Sequence, residues 1–343
     1  MRRVAIIGTG LIGASVGLRL KAAGNIPDLE IAGFDRIPAV GRIAQRSGAV
    51  DVNVREPADA VHEASLVVLC TPVLALRSVM KEIAPALEDN AIVTDTGSTK
   101  TDVMRWAQEE LPHKVSFIGG HPMAGKTDAG PNYAEATLFE GAQWVIVPPT
   151  DVPQSAVDTV RGLIEAMGAK PRFMDAEEHD SYVAAISHLP QMAATAMFTL
   201  AHESEAWPEL SMLAATGFRD TTRLAGTDPN IGFDIAVTNR TQIVHWLERY
   251  REVLRELQDR LSAEDGEEEL FRHMAQSSWD YTNFVNGEVG RKEIDERGDG
   301  PKAFDLTQLL IGEALASKIS GIAESGEKRL EKAERERRLR REE

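Results

Sequence analysis

The sequence predicts an α/β protein: a doubly wound sheet followed by an all-α domain. Three observations carry that prediction. Apolar strand-like runs alternate with helical patterns over roughly the first 150 residues, which is the signature of βαβ units. The first run, Val4 to Ile7, feeds glycines at 8, 10 and 13 and then a helical pattern. From about Ala156 strand patterns almost vanish, apart from a short KPRFM, and long helical patterns take over.

The glycines give G-x-G-x-x-G between a buried strand and a helix, the context a Rossmann-type dinucleotide fingerprint requires. Gly8 serves the tight turn, Gly10 lets backbone approach a pyrophosphate, and Gly13 lets the helix pack closely on its strand. The phosphates then meet the free N–H groups of Leu11, Ile12 and Gly13 and the positive end of the helix. The second strand, EIAGFDR, ends in Asp35, 22 residues past Gly13, close to the ~20 expected of a ribose-binding carboxylate. A carboxylate there repels a 2′-phosphate and favours NAD over NADP. Arg36, next to it, is the residue type that accepts a 2′-phosphate.

In order, the helical pattern Leu11 to Ala23 precedes the Asp35 strand; Pro38 to Arg46 reads as a helix and AVDVNV as a further β-like stretch. SLVVLCTP is continuous and apolar, as a central parallel strand must be, and Pro72 ends it. Ala91 to Asp95, Val115 to Ile118 and Gln143 to Val147 supply further strands. Ligands of such sheets bind off the carboxyl ends of the strands. Thr71, Pro72, the DTGS turn and the residues after Ile118 therefore point to one crevice. In the later half, helices are expected over Glu177 to Ser204, Glu209 to Gly217, Phe233 to Leu261 and Glu268 to Val289. The expected division is 1–170 for the dinucleotide-binding domain, 171–292 for the helical domain, and 293–343 for a C-terminal extension ending in a solvated helix of mixed charge.

A chain of 343 residues is long enough for about two domains, each with its own core. The net charge of −16 argues against nucleic acid and anionic membrane partners. Charge screening over ~8 Å leaves an anionic substrate dependent on arginines inside the cleft. The single cysteine, Cys70, excludes an internal disulfide and a cysteine-rich metal site, and no metal is expected. No apolar run approaches the ~18 residues of a membrane span, and no leader pattern is evident. A cytoplasmic location is expected.

Three constellations could carry chemistry. Asp95-Thr96-Gly97-Ser98 follows a strand, and Ser98 is either a site hydroxyl or the cap of a helix over Thr99 to Ala107. In GGHPMAG, Pro122 holds His121 extended at a strand end over the nicotinamide position, where a histidine serves as a general base. In the helical half, His188 lies beside Pro190, which should bend its helix. Arg219 and Arg223 share a face at i, i+4, and either can grip a carboxylate bidentately. His179 and His188, nine residues apart, fall on opposite faces of a regular helix and so make no metal pair.

GTGLIGAS, DTGSTK, GGHPMAG with LFEGAQWVIVP, DAEEHD, SHLP and FRDTTRLAGTDP occur in one order over roughly two thirds of the chain. In this the sequence resembles the prephenate and arogenate dehydrogenases of tyrosine biosynthesis. The resemblance implies NAD-dependent oxidative decarboxylation of prephenate to 4-hydroxyphenylpyruvate, by a Rossmann-type domain followed by a helical dimerisation domain, in a homodimer. It implies that His121 takes the hydroxyl proton, Ser98 orients the hydroxyl and the imidazole, and Arg223 holds the ring carboxylate with His188. The chain departs from the family at Gln191, where many members have a second histidine, and at Lys126-Thr127, where an acidic residue is common. It departs again at Gly232 or Phe233, where some have tryptophan. Thr127 and Gln191 are therefore candidates for reading the substrate side chain, and loss of the acid favours prephenate over arogenate. A 3-hydroxyacid dehydrogenase would need a lysine in the helical half, and none occurs between Lys170 and Lys292. A non-catalytic NAD-sensing module would have no need of Ser98 and His121.

Overall fold

The computed structural model describes residues 2–23, 28–126 and 128–289. Thr127 and the C-terminal extension lie outside the described residues. In chain order the elements are β1 (Arg2–Ile7), α1 (Leu11–Ala23), β2 (Leu29–Phe34), α2 (Pro38–Arg46), β3 (Val52–Asn53), α3 (Pro57–Val61), β4 (Ala64–Leu69), α4 (Val73–Ile83) and β5 (Ile92–Asp95). Then follow α5 (Thr101–Glu110), β6 (Ser116–Pro122), β7 (Gln143–Val147), α6 (Gln154–Ala166) and β8 (Lys170–Phe173). The helical half comprises α7 (Ala176–Val183), a π-helical turn (Ala184–His188), α8 (Leu189–His202), α9 (Trp207–Leu213), α10 (Thr216–Thr222), α11 (Pro229–Thr238), α12 (Arg240–Ser262) and α13 (Glu267–Val285).

The eight strands lie in the order β3-β2-β1-β4-β5-β6-β7-β8. All neighbours are parallel except β6 and β7. The order reverses between β1 and β4, so a crevice opens off their carboxyl ends. Both faces of the sheet are covered, which is why its strands read as unbroken apolar runs. Val4 and Ile6 pack on one side with α1 and α6, and Ala5 and Ile7 on the other with α4 and α5.

The helical half departs from the expected boundaries at three places. Glu209 to Gly217 is not one helix, because Ala214 and Ala215 are extended and separate α9 from α10. The pattern Phe233 to Leu261 is split at Asn239 (φ −126°, ψ 28°), whose side chain is engaged elsewhere. Between α7 and α8 the chain makes a π turn in place of a regular α turn. Residues up to Asp259 form one compact unit and the chain from Arg260 on belongs to a second. All the site geometry below lies in the first. No helix among the described residues is long and apolar enough to cross a membrane.

Candidate active site

The first turn is built as the glycine pattern predicts. Gly8 has φ +93°, and a Cβ there would stand 2.5 Å from the Cys70 carbonyl oxygen. A Cβ at Gly13 would overlap the carbonyl oxygen of Gly8. At Gly10, by contrast, a Cβ would meet nothing within 4 Å, so the space over the start of α1 is open. The first backbone bond into α1 runs from Ala14 N to Gly10 O. The N–H groups of Leu11, Ile12 and Gly13 thus have no acceptor within the helix. Asp35 stands beside this turn, accepting from Thr9 N and from Ile37 N, each at 2.9 Å, and Arg36 is exposed. Across the crevice Thr71 Oγ1 is buried without a hydrogen-bond partner, and Pro72 leads into α4. Open space at Gly10, unused N–H groups, an orphaned hydroxyl and a carboxylate at the second strand fit a dinucleotide. Burial pushes the Cys70 thiol up to about 12, which leaves it inert as a nucleophile.

Two buried carboxylates organise the rest. Asp95, at the end of β5, accepts from Gly97 N at 2.7 Å and from Gly120 N at 3.0 Å, and pairs with Lys100. Lys100 Nζ also donates to Gly120 O at 2.8 Å, although the side chain is completely buried. Burial drives the Lys100 pKa down, with Asp95 opposing it. A Cβ at Gly120 would stand 2.5 Å from Asp95 O. Glycine there lets β6 close against β5, and this sets the position of His121 one residue on.

Asp180 comes from α7. Its Oδ1 accepts from Lys100 N at 2.7 Å and from His179 Nδ1 at 2.8 Å, and its Oδ2 from Thr101 N at 2.8 Å. Asp180 therefore caps α5, which begins at Thr101. Ser98 is not the cap of that helix, and its partly buried hydroxyl is left uncommitted to it. Burial raises the Asp180 pKa, but the donors from His179, Thr101 and Lys100 outweigh it and hold the carboxyl below the usual range.

His121 Nδ1 lies 2.8 Å from His179 Nε2, the two rings meeting edge-on at 75°. Burial first, and then His179, Lys100 and His188, push the His121 pKa well below the ordinary histidine value. His188 is 1% exposed, and its Nδ1 accepts from Asn239 Nδ2 at 3.1 Å. The same amide donates to Asp180 O at 2.7 Å. Burial is the main cause that lowers the His188 pKa to about 4, so its ring is neutral with the proton on Nε2. The expectation that His179 and His188 face opposite ways is corrected here. A π turn holds one extra residue, which removes about 100° of phase, and both rings join one cluster.

Arg223 is exposed at the end of α10. With Arg219 it lines a cavity of about 480 Å³ walled by Phe198, Trp207 and Phe218. No hydrogen bond among the described residues joins Arg223 to the histidine cluster. Gln191 lies against Gly232, where a Cβ would stand 2.8 Å from its Nε2, so two of the departures from the family pattern are neighbours. Lys126 pairs with Glu135 at 2.6 Å.

Sequence reasoning did not single out Lys100, Asp180 and Asn239, and it considered His179 only as a metal ligand. The adjacent His-Asp of DAEEHD was the available signal for the pair. Asn239 gave none, since its partners lie 51 and 59 residues away. Among the described residues no group of histidine, cysteine and carboxylate side chains is placed to hold a metal.

Known proteins resemble this chain over both halves. Residues 16–172 match the family model for the prephenate dehydrogenase nucleotide-binding domain, and residues 175–276 that for its dimerization domain. Prephenate dehydrogenase of Bacillus subtilis is 34% identical over 308 residues, covering 88% of this chain and 79% of that protein. Cyclohexadienyl dehydrogenase of Zymomonas mobilis is 32% identical over 278 residues, covering 80% and 94%. The crystal structure of prephenate dehydrogenase from A. aeolicus in complex with hydroxyphenyl propionate and NAD+ aligns with a TM-score of 0.76 at 29% identity, covering 83% of this chain and 98% of that one. With a nucleotide-ready crevice, a half-buried histidine at the end of β6 and these matches across both halves, the chain belongs to the prephenate dehydrogenase family.

Proposed function

We propose that this protein is an NAD-dependent prephenate dehydrogenase of tyrosine biosynthesis, acting in the cytoplasm as a homodimer. The observation that carries the reading is His121. It stands at the carboxyl end of β6 next to the DTGS turn, its Nδ1 anchored on His179 at 2.8 Å and its ring kept neutral by burial. A neutral imidazole so placed is a general base near neutral pH. The proposed domains are 1–170 for cofactor and 171–292 for substrate and dimerisation.

Gly8, Gly10 and the N–H groups of Leu11, Ile12 and Gly13 hold the pyrophosphate. Asp35 takes the ribose hydroxyls, with Arg36 at its edge, and Thr71 and Pro72 line the crevice. Bound NAD supplies the acceptor for the hydride that leaves the hydroxyl-bearing ring carbon. As the carbonyl forms, the O–H proton passes to His121 Nε2, and the Ser98 hydroxyl orients both partners. The ring carboxylate is gripped by Arg223 and receives the Nε2–H of His188. Its departing carbon dioxide leaves an electron pair to the ring, and aromatisation drives the step. Thr127 and Gln191 meet the substrate side chain.

A second reading, oxidation of arogenate to tyrosine, is favoured by the similarity to a cyclohexadienyl dehydrogenase. Thr127 in place of the acid, following Lys126, weighs against it, because arogenate presents an ammonium. Mixing the protein with NAD or NADP and with each substrate, while following reduced-cofactor absorbance, separates the readings. Turnover of prephenate with NAD is the expected result, and silence with both substrates overturns the proposal.

A further inference from the structure

We infer that His179 is a positioning residue, held by Asp180, that fixes His121 in the tautomer a base requires: proton on Nδ1, lone pair on Nε2. The inference rests on His121 as the base and adds why its ring presents the correct nitrogen.

The argument is a chain of donors and acceptors. Asp180 spends its carboxylate on three donors, Lys100 N, Thr101 N and His179 Nδ1. Hydrogen bonds of that number hold it ionised, and an ionised carboxylate only accepts. His179 Nδ1 must then carry a proton. In a neutral ring Nε2 is left as the acceptor, and the only donor it meets among the described residues is His121 Nδ1 at 2.8 Å. That assignment leaves the lone pair of His121 on Nε2. The opposite tautomer would set two lone pairs against each other between the rings and would present an N–H, unable to take a proton, to the substrate hydroxyl.

Burial enforces the order. His179 is 0% exposed and Asp180 2%, so no bulk water competes for either ring nitrogen. Flipping the His179 ring would put carbon at both positions and leave buried polar groups without partners. When His121 takes the proton at Nε2, its Nδ1–H still points at His179 Nε2. The new positive charge thus stands one imidazole away from a carboxylate already fixed on α5. The logic is that of the serine protease triad, in which a buried aspartate fixes the tautomer of the histidine that does the chemistry. Here a second imidazole is interposed, and because His179 touches no reacting atom its role is positional.

The test uses the full-length protein with nitrogen-15-labelled histidines, the His121 signals being assigned by their loss in His121→Gln. Near neutral pH the expected spectrum shows His121 with Nδ1 protonated and Nε2 unprotonated. His179→Gln keeps an acceptor for His121 and a donor for Asp180, so it preserves that spectrum. His179→Leu removes both and frees His121 to take the Nε2–H form. In turnover, His179→Leu is expected to lower kcat by roughly 10²-fold, with KM for NAD and substrate within about threefold, and His179→Gln to recover at least about tenfold of the loss. An Nε2–H tautomer in the unaltered protein overturns the inference, as does a glutamine variant no more active than the leucine one. If His179→Leu does not fold, the spectra of the unaltered protein and the glutamine variant decide. The spectra need no turnover. The expected tautomer in a protein inert toward both substrates would therefore sink the proposed function and leave this inference standing.

Discussion

Asp180 caps a helix that starts seventy-nine residues before it in sequence, its Oδ1 accepting from Lys100 N at 2.7 Å. This carboxylate joins the helical half to the nucleotide-binding half and reaches His121 through His179. Asp180→Ala should lower stability to urea by about 2 to 4 kcal/mol, since charge-assisted bonds at a helix N-terminus are lost and His179 Nδ1 is orphaned. Asp180→Asn, which keeps an acceptor oxygen, should lose less. An alanine variant within about 0.5 kcal/mol of the parent protein would show that the cap contributes little.

Acid should weaken the fold from about pH 6.5 downward. The His188 pKa is about 4 in the folded protein against 6.5 for an ordinary histidine. Between those values the unfolded chain binds a proton that the native state refuses, so stability rises with pH across that window. It is fully present above about 6.5 and is lost as pH falls toward 4, by on the order of 3 kcal/mol from this residue. Asp180, lowered in the folded state, adds to the loss below its ordinary range. Denaturant titrations at pH 7, 6 and 5 check this.

Activity should be less acid-sensitive than an ordinary histidine implies. The base form of His121 is neutral and its pKa is depressed, so the acid limb of kcat is expected below pH 6.5. A limb at or above that value would assign the base elsewhere.

His121→Ala should retain NAD affinity while turnover falls by ~10² to 10⁴-fold. Arg223→Ala should act mainly on substrate, weakening binding by roughly 2 to 5 kcal/mol if the carboxylate pair is desolvated. Initial rates with fluorescence titration of NAD separate the two. Unchanged KM in the arginine variant would remove Arg223 from the site.

Gly10 and Gly13 should fail differently. Gly13→Ala forces a methyl into the Gly8 carbonyl and should destabilise the fold. Gly10→Ala has open space and should unfold within about 1 kcal/mol of the parent protein. Its methyl would nevertheless enter the space proposed for the pyrophosphate, so NAD affinity should fall by at least about tenfold, or ~1.4 kcal/mol. Calorimetric titration with NAD reads this, and unchanged affinity would move the phosphates off the turn.

Leu200, Met212 and Leu213 are 78 to 80% exposed, and the proposed homodimer is expected to cover them. Leu200→Glu with Leu213→Glu should shift sedimentation from dimer to monomer. A dimer that survives the pair would place the interface elsewhere.

The sequence by itself determined the sheet, the glycine turn, Asp35 and His121 at its strand end, because each follows from local rules: unbroken apolar runs, glycine sterics and the constraint of Pro122. It also located the switch to helices near Ala156. Tertiary structure decided what those helices present. One extra residue in the Ala184–His188 turn rotates everything beyond it by about 100°, a phase that no periodicity in a single helix reveals. Asn239 breaks a helical pattern because its amide is drawn to Asp180 and His188. Lys100 and Asp180 are ordinary charged residues until β5, β6, α5 and α7 meet. The proposed base was thus singled out from its neighbours in sequence, and the groups packed around it came only from partners that folding brings across 58 and 80 residues of chain.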